Sequence, residues 1–395
     1  MVGSNNLGVA HLADLYCQKA FEKGAKKGLG LAERDYLHES LMLAGLCHDL
    51  GHGPFSHTFD SLVIPSISPG LKWSHEVASE MLLDDMIDTY NIDMEMHQLR
   101  FIKGLIAAER REDYGIDWIY EVISSKKYGM DVDRFDYMMR DPLHTGQKDL
   151  VFHPNFYLDN FEIINNSVVF NIKIANKIFE FFNHRYKLFK NMYLNRKSVG
   201  IEYMIGDLFK MVNDHFHFEE IIFDPKKYLK CTNNIMFEIE NLAETRPDVK
   251  KLVNRLYHRE NYKFVNEYIC EKSTKKRHSK EDMHKIKELF IECQPNEYVL
   301  DTDGPKMENK RLDMDNVIIG NYLFKYCEEN QFDSIQVLGF DGEVKPASAL
   351  PNLMNINKYY EYQIHCYVRD SSLYPLAKQT WIVFVQKYSH LLRIE

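Results

Sequence analysis

The sequence predicts a mostly α-helical protein with a smaller C-terminal α+β lobe. Four segments carry apolar residues at the spacing of a buried helix face, namely 7–22, 34–49, 131–144 and 173–197. Three later runs combine β-branched and aromatic residues, namely 317–319, 335–338 and 359–364. We therefore predict a helical core over residues 1–270, including further helices over 201–270, and an α+β lobe over 271–395. A charge-rich linker over 272–287 and a loop over 301–310 are expected within the lobe.

Composition bounds the class of protein. With 395 residues, 45% of them hydrophobic, the chain can bury a large core in two or three structural units. A net charge of −9 argues against a surface that coats nucleic acid, although a local basic pocket could still bind a polyanionic nucleotide. Seven scattered cysteines without a CxxC pair indicate free thiols in a reducing compartment. Without a long apolar run or a signal peptide, we expect the nucleus or cytoplasm and no membrane association.

The most informative stretch is 48–57, which holds three histidines and one aspartate in ten residues. On the predicted helix 34–49, His48 continues the buried stripe formed by Leu37, Leu41 and Ala44. A polar ring that faces a core needs a partner, and Asp49 lies beside it. An imidazole nitrogen with a carboxylate oxygen suits a transition ion such as Mn, Fe or Zn.

Gly51, Gly53 and Pro54 then interrupt the helix. Because glycine adopts backbone conformations that other residues resist, His52 and His57 can face the same point. A single His-Asp pair is more often a satisfied pair in a core. The clustering of four such groups favours a functional site.

Asp60 follows His57 by three residues, which places both on one face of a helical turn. A carboxylate that accepts a hydrogen bond from one imidazole nitrogen raises the basicity of the other nitrogen. We therefore expect Asp60 to hold His57 as a general acid. An ordinary pair on a helix surface is the alternative.

One helix face further along carries Asp133, Tyr137, Asp141 and His144 at helical spacing. An aspartate that faces a core needs a cation, whereas a solvated charged face would need none. Pro142 is expected to end this helix.

Three segments together resemble one family, the HD-domain deoxynucleoside triphosphate (dNTP) triphosphohydrolases, and most of all its eukaryotic sterile-alpha-motif-and-HD-domain branch. They are 44–57 (AGLCHDLGHGPFSH), 72–76 (KWSHE), and 129–137 (GMDVDRFDY) with Arg140 and Asp141. The resemblance is strong over residues 6–210 and patchy to about 270. It implies an HD-domain helical core and metal-dependent hydrolysis of a dNTP to deoxynucleoside and inorganic triphosphate, which lowers cellular dNTP pools.

The resemblance also implies roles for the clustered residues. His48, Asp49 and Asp133 would hold the metal ion, and a second ion, Mg, would accompany the triphosphate. His52 and His75 would hold the phosphate around the scissile bond, with Glu76 beside them, and the His57 and Asp60 pair would protonate the departing 5′ oxygen.

Substrate contacts follow from the same resemblance. Arg134 stands where the family has a lysine on the phosphates, and Tyr137 and Asp141 match sugar contacts. Arg185 matches a triphosphate ligand, and Tyr193 matches a residue packed against the deoxyribose. Without the resemblance, the stripe that contains Arg185 and Tyr193 would be interpreted as core packing.

Arg259 and Lys263 match basic residues that bind an activating nucleotide, GTP or dGTP, between subunits of the family's oligomer. The resemblance therefore implies a homo-oligomer, either dimer or tetramer. Taken alone, the two residues form an i, i+4 pair on a solvated helix face.

Asn5 departs from the family, which has a metal-binding histidine two residues before its Leu-Gly-Val, here residues 7–9. An amide oxygen is a weaker ligand than an imidazole for such ions. His11 lies off the inward stripe and is expected on the surface. The family's upstream residues are also missing, which is expected of an N-terminally truncated chain or a degenerate member.

Two rival functions remain. One is a catalytically impaired HD-domain protein that binds nucleotide as a regulatory scaffold. The other is an HD-domain phosphodiesterase that acts on a different phosphate ester.

Overall fold

A computed structural model describes most of the chain, and it is mostly α-helical, as predicted. The described residues are 2–23, 25, 30–112, 114–147, 149–270, 278–295, 310–325, 331–350 and 360–392. Within these ranges, every helix is too short or too polar to cross a lipid bilayer.

The helices are α1 (Val2–Glu22), α2 (Leu31–Cys47), α3 (Ile64–Ile67), α4 (His75–Tyr90), α5 (Met96–Ala107), α6 (Val132–Thr145), α7 (Asn155–Leu158), α8 (Ala175–Leu188), α9 (Arg196–Phe216), α10 (Phe218–Ile221), α11 (Pro225–Tyr228), α12 (Ile235–Ala243), α13 (Pro247–Tyr257), α14 (Lys280–Glu292), α15 (Gln331–Ser334) and α16 (Tyr374–Tyr388). The strands are β1 (Phe161–Ile164), β2 (Ser167–Asn171), β3 (Lys263–Cys270), β4 (Val317–Lys325), β5 (Gln336–Leu338), β6 (Val344–Pro346) and β7 (Tyr360–Val368).

These elements form two compact units that are interleaved along the chain. The first unit contains residues 1–188, 212–238 and 327–355, and the second contains 189–211, 239–326 and 356–395. The sequence predicts instead a single boundary after residue 270.

In the first unit, α1 and α2 pack together closely because Gly45 lies at their crossing. A Cβ atom at Gly45 would come within 3.0 Å of the Ala10 backbone, so a larger residue would push the helices apart. Leu37, Leu41 and Ala44 are buried on α2, as their spacing predicts. α2 packs against both α1 and α5, and His48 follows directly after its last residue, Cys47.

The first unit also has a small sheet with the strand order β1-β2-β5-β6. An antiparallel hairpin joins β1 to β2 through Asn165 and Asn166, which adopt φ angles of 49° and 60°. Asparagine tolerates this left-handed region better than most residues, which suits a two-residue hairpin turn. The sequence predicts no strand in this part of the chain.

The second unit contains an antiparallel sheet with the order β3-β7-β4. The predicted β-rich run at 317–319 lies in β4, and the run at 359–364 lies largely in β7. Phe290 of α14 and Trp381 and Phe384 of α16 belong to the same buried cluster as the β7 residues Tyr362 and Ile364. The predicted run at 335–338 forms β5, which belongs to the first unit.

Pro142 does not end its helix, contrary to the prediction, because α6 continues to Thr145. A proline inside a helix leaves the carbonyl four residues earlier without its usual donor, here the carbonyl of Met138. Pro142 is nevertheless buried on the packed side of α6, together with Phe135 and Met138. Tertiary packing of this side of the helix therefore offsets the local penalty.

Three other predictions of local structure are corrected. The helix predicted over 173–197 is divided, since α8 ends at Leu188, a π-helical turn covers Phe189–Tyr193, and α9 begins at Arg196. Residues 259–264 form a turn and the start of β3 rather than a helix. Part of the predicted linker, from Lys280 onward, is helix α14. The rest of that linker up to residue 277, and the predicted loop over 301–309, lie outside the described residues.

The turn after α2 lies directly against the first turns of α4. A Cβ atom at Gly51 would come within 2.1 Å of the His75 carbonyl oxygen and 2.3 Å of the Ser79 nitrogen. Both of these are backbone atoms, which cannot rotate away as a side chain can. Only glycine therefore permits this approach of the turn to α4.

Replacing Gly51 with alanine should destabilise the protein by about 1–3 kcal/mol, because the added methyl group must displace α4 or the turn. Thermal or chemical unfolding of the purified protein measures this loss. The control is Gly30→Ala, where a Cβ atom meets only the Glu33 side chain, at 3.6 Å. Equal stability of the Gly51→Ala variant and the unmodified protein would contradict the close packing described here.

Candidate active site

His48 lies at the C-terminal end of α2 and is buried. Its Nδ1 atom is 2.8 Å from the Gly45 carbonyl oxygen, which can only accept, so Nδ1 carries the hydrogen. The Nε2 atom lies 3.4 Å from Asp49 Oδ2 and 3.4 Å from Asp133 Oδ1. The backbone contact thus orients the ring so that Nε2 faces the two carboxylates.

His48, Asp49 and Asp133 form a group that we call the metal-ligand cluster, because each can offer one ligand atom within 4.8 Å of the others. The buried His48 Nε2 has no hydrogen-bond partner among the described residues. Burial lowers the pKa of His48, but the Asp133 and Asp49 carboxylates outweigh that effect and raise the pKa to about 9. The same two carboxylates that favour a proton on Nε2 would also favour a divalent ion bound there in place of the proton. The donor set therefore fits a divalent ion.

Asn5 on α1 lies at this cluster. Its Nδ2 atom donates a hydrogen bond to Asp49 Oδ2 at 3.1 Å. Its buried Oδ1 atom has no hydrogen-bond partner in the part of the chain that the structure describes. The inward position predicted for Asn5 is therefore confirmed, and its amide contacts one of the expected metal ligands. His11 is exposed on the same helix, as expected.

Four further residues form a second group beside the first, which we call the histidine cluster: His52, His57, Asp60 and His75. The His52 ring stacks on the His75 ring with centroids 4.0 Å apart, and the His57 ring meets the His52 ring edge-on at 5.0 Å. Burial and the neighbouring His75 lower the pKa of His52 to about 4. His52 is therefore neutral at ordinary pH.

Asp60 hydrogen-bonds His75 rather than His57, which corrects the predicted pair. Asp60 Oδ2 lies 2.5 Å from His75 Nδ1. Burial lowers the pKa of His75, but the hydrogen bond that Asp60 accepts from it and the other nearby carboxylates outweigh that effect, so the pKa rises above its ordinary value. The i, i+3 spacing of His57 and Asp60 could not reveal a partner on another helix.

The two clusters meet at Asp49 and His75. His75 Nε2 lies 3.9 Å from Asp49 Oδ1 and 3.5 Å from Glu76 Oε1. His52 Nε2 lies 3.6 Å from the same Asp49 oxygen. Asp49 and His75 thus link the metal-ligand cluster to the histidine cluster.

Ser79 is a supporting residue that the sequence did not identify. Its hydroxyl donates to the His48 carbonyl oxygen at 2.7 Å and accepts from the Gly51 amide at 2.8 Å. Ser79 is fully buried on α4, one helical turn after His75. It therefore ties the turn that carries Asp49 and His52 to the helix that carries His75.

Arg134 forms an ion pair with Asp131, which also caps α6 by accepting the Arg134 backbone amide at 2.8 Å. Asp131 is fully buried and accepts the Ser125 amide as well, at 2.7 Å. Asp131 thus holds the Arg134 guanidinium at the start of the helix that carries Asp133.

The structure brings together two of the predicted substrate residues. Arg185 on α8 donates from Nε to the Tyr137 hydroxyl on α6, at 3.3 Å. Asp141 lies one turn further along α6 and is partly buried.

Three predicted residues belong to the second unit. Tyr193 ends the π-helical turn, where its ring packs against Phe189 with centroids 5.0 Å apart. Arg259 lies in the turn after α13 with a positive φ of 58°, and Lys263 begins β3. Both are exposed, and they do not share a helix face.

The helical fold and the His-Asp doublet with a distant aspartate are those of an HD domain. No model of a known protein family matches the chain. It is 30% identical over 267 residues to the deoxynucleoside triphosphate triphosphohydrolase SAMHD1 homolog of Dictyostelium discoideum, covering 67% of this chain and 51% of that protein. It is also 30% identical over 299 residues to the deoxynucleoside triphosphate triphosphohydrolase SAMHD1 of Homo sapiens, covering 67% and 47%.

An HD domain-containing protein of Acanthamoeba polyphaga mimivirus is 33% identical over 218 residues, covering 54% of this chain and 46% of that protein. The chain spans about half the length of the curated relatives it matches. It belongs to the HD-domain deoxynucleoside triphosphate triphosphohydrolase family.

Removing Asp133 should weaken Mn²⁺ binding more than about tenfold, the loss typical even of residues that only support a metal ligand. Titration calorimetry on chelator-treated protein measures the affinity of the Asp133→Ala variant. The matched control is Asp93→Ala, which removes an exposed carboxylate away from the cluster. Unchanged Mn²⁺ affinity in Asp133→Ala would rule out the metal-ligand cluster.

In the same titration, Asn5→His should raise Zn²⁺ affinity, because an imidazole is a stronger ligand than an amide.

Proposed function

We propose that the protein is a metal-dependent dNTP triphosphohydrolase, which converts dNTP and water to deoxynucleoside and inorganic triphosphate and lowers cellular dNTP pools. The observation that carries this proposal is the orientation of His48 Nε2 toward Asp49 and Asp133, with the histidine cluster directly beside them. The family membership of the chain supports the same substrate class.

The metal-ligand cluster would hold the ion, which we propose to be Mn, Fe or Zn. Such an ion supplies Lewis acidity, which polarises a phosphate ester and makes water a better nucleophile. Asn5 would add a weak amide ligand or keep its hydrogen bond to Asp49.

The basic residues would bind the triphosphate together with its Mg ion. Arg185 is presented from α8 beside Tyr137, and Arg134 lies at the start of α6. Guanidinium groups suit this task because their donors match phosphate oxygens in pairs. Tyr137 and Asp141 are the proposed sugar contacts in the first unit. A sugar contact by Tyr193 rests on family resemblance alone.

The histidine cluster would handle the α-phosphate and the leaving group. Hydrolysis forms a bond between a water oxygen and the α-phosphorus and breaks the bond to the 5′ oxygen, which must gain a proton. Asp60 orients His75 and favours its protonated form, so His75 is poised to contact the phosphate or donate that proton. His57 is the exposed imidazole of the cluster and the second candidate donor.

A catalytically impaired scaffold that binds nucleotide is the second candidate function. The hydrogen bond from the Asn5 amide to Asp49 favours it, because it satisfies an expected ligand oxygen without an ion. Activation by GTP or dGTP through Arg259 and Lys263, a homo-oligomer and a nuclear or cytoplasmic location are further proposals that rest on family resemblance.

Purified protein incubated with each dNTP, Mg²⁺ and Mn²⁺, with and without GTP, should release deoxynucleoside and triphosphate in equal amounts. Asp133→Ala should abolish this release, because the metal-ligand cluster loses a carboxylate. Chromatography of both products is the measurement, with Asp93→Ala as the control. Mn²⁺ binding without any turnover would favour the scaffold.

A double-mutant cycle tests which imidazole Asp60 serves. Asp60→Asn and His75→Gln should each lower kcat, and their effects should be strongly non-additive because the two side chains act as one unit. Asp60→Asn and His57→Gln should combine more nearly additively. Kinetics of the single and double variants provide the measurement, and the reverse pattern would restore the pair predicted from the spacing.

A further inference from the structure

A distant part of the chain holds the turn that carries His52 and His57. The Tyr228 hydroxyl donates to the Gly51 carbonyl oxygen at 2.6 Å, and the Phe55 amide donates to Asn233 Oδ1 at 2.8 Å. Both contacts lie within the first compact unit. They join the turn to residues 177 and 178 positions further along the chain.

The turn needs such support because its backbone is strained. Phe55 and Ser56 have φ angles of 60° and 50°, a left-handed region that is unfavourable for residues other than glycine. Strained residues persist where the surrounding structure fixes them. Asn233 accepts the amide hydrogen of Phe55 itself and so acts at the strained position.

Tyr228 is a rigid anchor for the start of the same turn. It is buried, and its ring packs against Trp73 and Phe59 with centroids 5.9 and 6.5 Å away. Burial raises the pKa of the Tyr228 hydroxyl, which therefore stays protonated and keeps its donor. The aromatic packing holds the ring, and the hydroxyl holds Gly51.

We propose that Tyr228 and Asn233 are positioning residues of the candidate active site. They hold the turn so that the His52 ring stacks on His75 and the His57 ring faces both. The consequence for catalysis rests on the proposed function, whereas the conformational restraint does not.

Hydrogen exchange followed by mass spectrometry tests the restraint on the complete chain without substrate. In Asn233→Leu, amides of residues 51–59 should exchange roughly five- to tenfold faster, since one hydrogen bond restraining the turn is lost. Asn233→Asp keeps an acceptor of the same shape and should restore slow exchange. Tyr228→Phe keeps the ring and removes only the hydroxyl, so it should also speed exchange.

Asn234→Leu is the matched control, because Asn234 is the exposed neighbour of Asn233. It should leave the exchange of residues 51–59 unchanged. Mn²⁺ affinity should also be unchanged in Asn233→Leu, because Asn233 contacts Phe55, which lies six residues after the nearest metal ligand, Asp49. Faster exchange in the turn together with unchanged Mn²⁺ affinity distinguishes a positioning role from a general loss of structure.

In the dNTP assay, Asn233→Leu should lower kcat by about 10- to 100-fold with little change in KM, because misplaced catalytic groups slow the chemical step. Asn233→Asp should recover most of kcat. Equal exchange over residues 51–59 in the unmodified protein, Asn233→Leu and Tyr228→Phe would overturn the positioning role even if the protein hydrolyses dNTP. The expected exchange pattern without turnover in the unmodified protein would support the restraint and reject the proposed function.

Discussion

The candidate site depends on one buried imidazole held between a carbonyl group and two carboxylates. The Gly45 carbonyl orients His48, so Nε2 points toward Asp49 and Asp133 at 3.4 Å each. Two carboxylates brought this close repel each other unless a positive charge lies between them. A proton on His48 or a divalent ion can supply that charge, and the packing of α2 against α1 and α5 keeps the ring in place.

The surrounding structure distributes support for this site over several elements. Ser79 ties the turn to α4, Asp60 orients His75, and Tyr228 and Asn233 restrain the turn from a distant segment. Each of these contacts is a hydrogen bond to a backbone group or a carboxylate. Because hydrogen bonds are directional, each one restrains the orientation of the group it holds as well as its position. In this arrangement the imidazoles of His52 and His75 are stacked.

Sequence periodicity could predict α2, because its predicted stripe is buried. It could predict that α6 is a helix but not which face is buried, since His144 of the predicted stripe is exposed and the buried Phe135 and Met138 lie off that stripe. The sequence also predicted the inward position of Asn5. It predicted that His52 and His57 lie close together, since the short spacing and the glycines between them limit where the two rings can lie. It could not predict the partner of Asp60, because His75 is on another helix and short-range spacing reports only neighbours within one helix. The continuation of α6 past Pro142 could not be predicted either, because it depends on tertiary packing that buries this proline.

The interleaving of the two units bears on how the protein folds during synthesis. All three residues of the metal-ligand cluster have been synthesised once residue 133 has left the ribosome, but Tyr228 and Asn233 follow about a hundred residues later in the chain. The first unit also includes β5 and β6, which come later still. Contacts between such distant segments form slowly, because closing a long loop of chain opposes them. A nascent chain can therefore assemble the metal ligands well before the turn that carries His52 and His57 adopts its final strained conformation.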